Sequence, residues 1–327
     1  MKKTLGLASA FILAAGLTAG CSSTGASGDH KEHDGKLDIY TTIYPLEDFT
    51  KKIGGEYVNV KSVYPPNVEA HTYEPSSKTM AEISDSDAFI YSGVGVEGFA
   101  DKAVNTLKGS DVKIVKAGEG IGLLSQTEEH EHGEEEHEHD HDHEHEHDHD
   151  HGGKDPHVWL DPVLAEKLAE NIKNELTALE PEHKKEFAKN YESLKKELEQ
   201  LDQELKQTVA KADKKEILVS HAAYGYWEKR YGIKQISVLG LSPTEEPSQK
   251  ELENIVKTAK EHDIKYVIFE NNVSSKISEI IKNEIGAKSL TMKNLESVTK
   301  EDRQNGEDYL SIMEENVSVL KKALSNQ

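Results

Sequence analysis

The chain has 327 residues with 61 Asp and Glu against 39 Lys and Arg, a formal net charge of -22. That sign excludes a nucleic-acid binder, because phosphates need a basic face, and the length accommodates two domains with ordinary cores. The single cysteine, Cys21, excludes both an internal disulfide and a cysteine zinc cluster.

Met1-Lys2-Lys3 opens the chain, the apolar stretch Leu5–Leu17 follows, and Thr18-Ala19-Gly20-Cys21 closes it. A basic start, an apolar run too short to span a bilayer and small residues at the cut describe an export signal over residues 1–20. Cysteine directly after small residues resembles the lipobox of bacterial lipoproteins, with Thr18 where such motifs usually carry Leu. The resemblance implies a lipid on Cys21. Ser, Gly and His then dominate a flexible tether over residues 21–36.

From Leu37 short apolar runs alternate with amphipathic segments. Strands are expected at Asp38–Ile43, Val58–Tyr64, Ala88–Ser92 and Val112–Val115, with helices at Pro45–Ile53, Ser77–Ile83 and Val96–Leu107. This is the rhythm of a parallel sheet covered by helices. Residues 128–151 interrupt it with 10 His, 13 Asp or Glu and one Gly, and no apolar side chain. Such a tract has nothing to bury against a core. Its composition says metal, since imidazole is the commonest metal-binding side chain near neutral pH and carboxylates add charge and oxygen donors. It also holds 13 of the negative charges, leaving -9 for the rest of the chain.

Two helices are expected next, Ala165–Leu179 and Glu182–Ala212, broken around Glu180-Pro181. The second places Phe187, Tyr191, Leu194, Leu198, Leu201, Leu205 and Val209 three or four apart, the stripe of a rigid strut packed along two lobes. The strand-helix rhythm then repeats. Strands are expected at Ile217–Ser220, Ile236–Leu239, Lys265–Phe269 and Ser289–Met292, and helices at Ala223–Tyr231, Gln249–His262, Ser275–Ile285 and Gly306–Leu324. The expected architecture is α/β: two similar α/β lobes, residues 37–181 and 213–327, joined by a long rigid helix over 182–212, with a metal site in the cleft between them.

Gly93-Val94-Gly95-Val96-Glu97-Gly98 satisfies G-x-G-x-x-G, but it follows the third strand, and the next strand leads into Lys116-Ala117-Gly118 rather than ending on an acid. We read it as a tight turn rather than a dinucleotide site. Outside the tract and the tether five histidines remain. His183 and His262 stand among charges and read as solvated helix surface. His71 lies just past the second strand in Glu69-Ala70-His71-Thr72-Tyr73-Glu74-Pro75. His157 lies in Asp155-Pro156-His157-Val158-Trp159-Leu160-Asp161-Pro162, and His221 ends a strand ahead of Ala222-Ala223-Tyr224-Gly225-Tyr226. Carboxyl ends of parallel strands are where ligands gather in such sheets. Spacing alone does not bring the three together.

These phrases, from Leu37 to the C-terminus, resemble the metal-binding solute proteins of bacterial ABC importers, the cluster A-I group that includes the zinc-handling receptors. An acidic histidine-rich loop between the first two motifs is typical of the zinc members. The resemblance implies that His71, His157 and His221 are metal ligands. It further implies a carboxylate from Asn294-Leu295-Glu296-Ser297, for which we select Glu296; Glu270, Glu69 and water are the competitors. Three imidazoles and one carboxylate suit Zn2+, whereas manganese members carry a carboxylate in place of the third histidine. Asp161 is the expected orienter of a ligating imidazole.

The function implied is an exported, lipid-anchored zinc receptor on the outer face of the cytoplasmic membrane. It is a monomer and not an enzyme, and it delivers Zn2+ to a membrane permease driven by an ATPase. The tract residues His130, His132, His137, His139, His141, His143, His145, His147, His149 and His151 are then weak collectors of zinc. A zinc hydrolase and an adhesin or metal buffer acting through the tract are the alternatives; the first lacks H-E-x-x-H and any nucleophile elbow.

Overall fold

In the computed structural model, residues 35–125, 153–273 and 275–325 are described. The export segment, Cys21, the tether up to residue 34 and the whole histidine-rich tract lie outside the described residues.

The first sheet comprises β1 (Leu37–Thr41), β2 (Val58–Ser62), β3 (Ala88–Tyr91) and β4 (Lys113–Lys116), in the order β2-β1-β3-β4 with every pairing parallel. The second comprises β5 (Glu216–Val219), β6 (Lys234–Ser237), β7 (Tyr266–Glu270) and β8 (Lys288–Met292), in the order β6-β5-β7-β8, again parallel. The two lobes thus repeat one topology. In each, the strand order reverses between the first and third strands, and the loops leaving those strands diverge there to open a crevice.

Helices cover the sheets because parallel strands need crossovers and are buried on both faces. In the first lobe these are α1 (Tyr44–Gly54), α2 (Ser77–Ser84) and α3 (Ala100–Leu107). In the second they are α6 (Gly225–Tyr231), α7 (Gln249–Glu261) and α8 (Lys276–Ile285), followed by α9 (Lys300–Asn305) and α10 (Tyr309–Ala323). Between the lobes run α4 (Pro162–Leu179) and α5 (Lys184–Ala210), separated by a 3-10 turn at Pro181–His183. Proline is tolerated in the first turn but cannot continue the preceding helix, which is why the break falls there.

Helix α5 is about 40 Å long at 1.5 Å per residue, and its stripe Phe187, Tyr191, Leu194, Leu198, Leu201, Leu205 and Val209 is buried throughout. It packs against α1, α4 and α10. One hydrophobic cluster therefore runs from the first sheet through these helices into the second lobe, while a smaller one around Leu218, Val267 and Ile281 fills the space under α7 and α8.

Several edges differ from the sequence expectation. Strand β6 begins at Lys234 and ends at Ser237, two residues early, and α3 starts at Ala100 because Gly93–Gly98 forms a turn. The short α9 has no amphipathic stripe to reveal it; it is defined by the capping box of Thr299 with Asp302 and by Gly306 in the left-handed conformation.

Candidate metal site

Four side chains from four separate segments converge where the lobes meet. His71 comes from the loop between β2 and α2. That loop is wound around Glu69, whose carboxylate accepts the backbone N–H of His71 (2.8 Å) and of Thr72 (3.0 Å) and the Thr72 hydroxyl (2.6 Å). It is also pinned to the other lobe: Asn67 N–H donates to the Val298 carbonyl at 3.0 Å, and the Ser297 hydroxyl to the Val68 carbonyl at 2.8 Å.

His157 precedes a fully buried 3-10 turn, Val158–Leu160, that leads into α4. The turn is held from the second lobe. The Trp159 indole donates to the Asn294 carbonyl at 2.7 Å, the Tyr309 hydroxyl to the Trp159 carbonyl at 2.6 Å, and the Trp227 indole to the Leu160 carbonyl at 2.6 Å. His221 sits two residues past the end of β5, at the reversal point of the second sheet. Glu296 lies in the loop after β8. The residue before it, Leu295, is fully buried yet has a φ of 63°, a left-handed conformation that costs a non-glycine residue about 1 kcal/mol or more. This turn directs the Glu296 side chain inward, where its carboxylate accepts from Ala70 N–H (3.3 Å) and the Asn272 amide (2.9 Å).

Two buried carboxylates set the imidazoles. Asp155 Oδ1 accepts both the backbone N–H and the Nδ1–H of His157, at 2.9 and 2.8 Å. Glu270, the last residue of β7, accepts the Nδ1–H of His221 at 2.7 Å and is itself held by the Asn294 amide at 2.7 Å. With both Nδ1 atoms donating, the Nε2 lone pairs of His157 and His221 point at one another across 3.2 Å. Something positive must lie between them: a proton on one ring, or a cation.

The remaining donors face the same point. Glu296 Oε1 is 3.5 Å from His71 Nε2 and 3.9 Å from His157 Nε2, and both Glu296 Oε1 and His71 Nε2 are buried without a hydrogen-bond partner among the described residues. All four donor atoms lie within 4.8 Å of one another. A tetrahedral shell with metal–donor distances of about 2.0–2.1 Å separates its donors by about 3.4 Å, so the observed spacing fits an ion at the centre. Burial pushes the Glu296 carboxyl up, but the adjacent imidazole of His71, with those of His221 and His157, outweighs it and brings its pKa down to about 2. Burial lowers all three histidines. Glu296 more than compensates at His71 and Glu270 at His221, so both end raised, whereas His157 stays lowered despite Asp155.

Of the competing carboxylates, Glu69 is occupied by its own loop and Glu270 by His221 and Asn294. Asp161 does not orient an imidazole. It caps α4 through the N–H groups of Val163 and Leu164 and pairs with Arg230 at 2.5 Å. Sequence reasoning missed Asp155, although it stands two residues before His157, and gave Glu270 only as a rival ligand. His183 is not simply a solvated ring: it stacks on Tyr57 at 3.7 Å. His262 pairs with Glu216 at 2.7 Å.

Two parallel α/β lobes bridged by a long helix, closing three imidazoles and a carboxylate between them, define the class: a two-lobed metal-binding receptor. The chain belongs to the ZnuA family, described as zinc-uptake complex component A, periplasmic, whose model matches residues 39–323. It is 39% identical over 325 residues to the high-affinity zinc uptake system protein ZnuA of Bacillus subtilis (strain 168), covering 99% of this chain and 98% of that protein. It is also 39% identical over 302 residues to the zinc-binding lipoprotein AdcA of Streptococcus pneumoniae (strain ATCC BAA-255 / R6), which covers 92% of this chain but 58% of that longer protein. Among solved structures, the Zn(II)-bound ZnuA-like domain of Streptococcus pneumoniae AdcA superposes with a TM-score of 0.72 at 36% identity, covering 89% of this chain and all of that one.

Proposed function

We propose that the protein is an extracytoplasmic zinc receptor that carries Zn2+ to the permease of an ABC importer, with His71, His157, His221 and Glu296 as the four ligands. The observation that carries this reading is the pair of facing Nε2 atoms at 3.2 Å, each with its Nδ1 committed to a carboxylate, beside two buried donors that lack partners. Zinc is favoured over manganese by three imidazole donors and a single carboxylate. Four protein donors close a tetrahedral shell and leave no position for a reactive water, which argues against a hydrolase. The relatives' names as zinc-uptake and zinc-binding proteins support the same reading.

The finer picture has the chain cut before Cys21, lipid-anchored through that residue to the outer face of the membrane, and acting as a monomer. An importer ATPase drives release into the permease, lobes 37–181 and 213–327 flank the linking helix, and the tract over 128–151 gathers zinc weakly.

Calorimetric zinc titration of the full chain, of the chain lacking 128–151 and of His221→Ala tests it. One tight equivalent should survive loss of the tract and disappear in His221→Ala. Loss of the tight equivalent with the tract, and its retention in His221→Ala, would show that the tract is the site.

A further inference from the structure

The Gly93–Gly98 turn occupies a telling place. It leaves the carboxyl end of β3, at the point where the order of the first sheet reverses between β1 and β3. In the second lobe the matching point, between β5 and β7, holds the buried carboxylate of Glu270 that fixes His221 and also accepts from the Ser220 hydroxyl at 3.4 Å. In the first lobe the buried carboxylate is Glu97. Its Oε1 accepts the Thr42 hydroxyl and the Ser92 N–H, both at 2.6 Å, and its Oε2 accepts the Ser92 hydroxyl at 2.6 Å. One carboxylate thereby ties the loop after β1 to the loop after β3. Gly93 and Gly95, with φ of 67° and 104°, let the turn fold back far enough for it to do so.

The next residue touches the metal-site loop. A β-carbon on Gly98 would stand 2.7 Å from the backbone carbonyl oxygen of His71, so no side chain fits there unless the His71 backbone moves. Phe99 completes the support. Its ring packs at 6.0 Å from Tyr64 and 6.3 Å from Tyr73, and the Tyr64 hydroxyl donates to the Ala70 carbonyl at 3.3 Å.

We infer that Glu97 and Gly98 are positioning residues of the zinc site: the turn they anchor is a shelf that sets the height of His71 against His157, His221 and Glu296, without touching the ion. His221 is held by a carboxylate on its ring, as His157 is by Asp155; His71 is held instead by a carboxylate-anchored turn under its backbone. The inference rests on His71 being a ligand.

The test is a double-mutant cycle on the full chain, with zinc affinity read by competition against a chelator that strips weak sites. Gly98→Ala and Glu97→Ala should each weaken zinc binding about 10- to 100-fold, the usual effect of disturbing groups that orient ligands. Glu97→Gln should restore most of the loss, because an amide oxygen still accepts from Thr42 and the Ser92 N–H. In a His71→Ala background neither Gly98→Ala nor Glu97→Ala should cost anything further. Equal losses in both backgrounds, or no loss in the wild-type background, would overturn the shelf. If His71→Ala alone leaves affinity intact, the ligand assignment itself falls and takes the shelf with it. Should Gly98→Ala fail to fold, the cycle with Glu97→Ala and its Gln rescue decides.

Discussion

At the scale of single residues, the proposed site is organised by carboxylates that stand behind the four-donor cluster. Asp155 and Glu270 fix the tautomers of His157 and His221, so that the Nε2 atoms present lone pairs to the same point. Outer partners of this kind raise ligand basicity and lock ring orientation. Asp155→Asn and Glu270→Gln should each lower zinc affinity about 10- to 100-fold, measured by chelator competition. Asp161→Asn is the contrast: its carboxylate serves the end of α4 and Arg230, so stability should drop by about 1 kcal/mol while zinc affinity holds. A large affinity loss there would mean that the cap also positions His157. His71, His157 and His221 were legible in the sequence because each sits in a distinctive phrase at a strand or helix boundary. Asp155 was not, since an acid two residues before a histidine gives no sign of where its side chain turns.

At the scale of elements, α5 holds the fold together by its apolar stripe rather than by its charges. Leu198 is fully packed between α5 and its neighbours, and truncation of such a leucine costs the transfer of its methyl groups plus the cavity left behind. Leu198→Ala should lower unfolding free energy by about 2 to 5 kcal/mol in denaturant titrations, with the zinc stoichiometry of the folded protein unchanged. A change of less than about 1 kcal/mol would show that neighbouring helices collapse into the gap. This stripe could be read from periodicity alone, because a 3.6-residue repeat of large apolar side chains has one physical use. The short α9 could not, because its definition lies in a capping box and a glycine rather than in a buried face.

At the scale of the whole molecule, the lobes are tied by ionic contacts between α1 and the segment around α9. Arg303 forms a two-pronged pair with Glu47 at 2.7 Å on each prong, Lys52 meets Asp308 at 2.8 Å, and the Tyr44 hydroxyl donates to the Glu307 carbonyl at 2.8 Å. Burial raises the Glu47 carboxyl, but Arg303 and Lys51 outweigh it and hold it below its ordinary 4.5. A depressed carboxylate contributes stability that is complete above its unfolded value and fades as pH falls through the folded one. Arg303→Ala should therefore cost about 2 to 3 kcal/mol at neutral pH. The gap from wild type should close as pH is lowered from about 4.5 in thermal melts of the metal-free protein. A gap independent of pH would assign the loss to the packing of Arg303 over the Tyr44 ring, 5.6 Å away.

Composition and periodicity pointed to a metal, to two α/β lobes and to the strut, because each of these leaves its mark within a few dozen contiguous residues, whereas the expectation that His71, His157 and His221 are ligands came from the resemblance of their local phrases to a known family. Which carboxylates touch the ring nitrogens, why Asp161 turns away to Arg230, and why Gly98 must lack a side chain under His71 were decided only by tertiary structure. Those contacts join residues up to 69 positions apart, and no local pattern records a distance across a fold. The histidine-rich tract, conspicuous in the sequence for its count, carries no apolar side chain with which to build a core, whereas two packed lobes hold four side chains within 4.8 Å of one another.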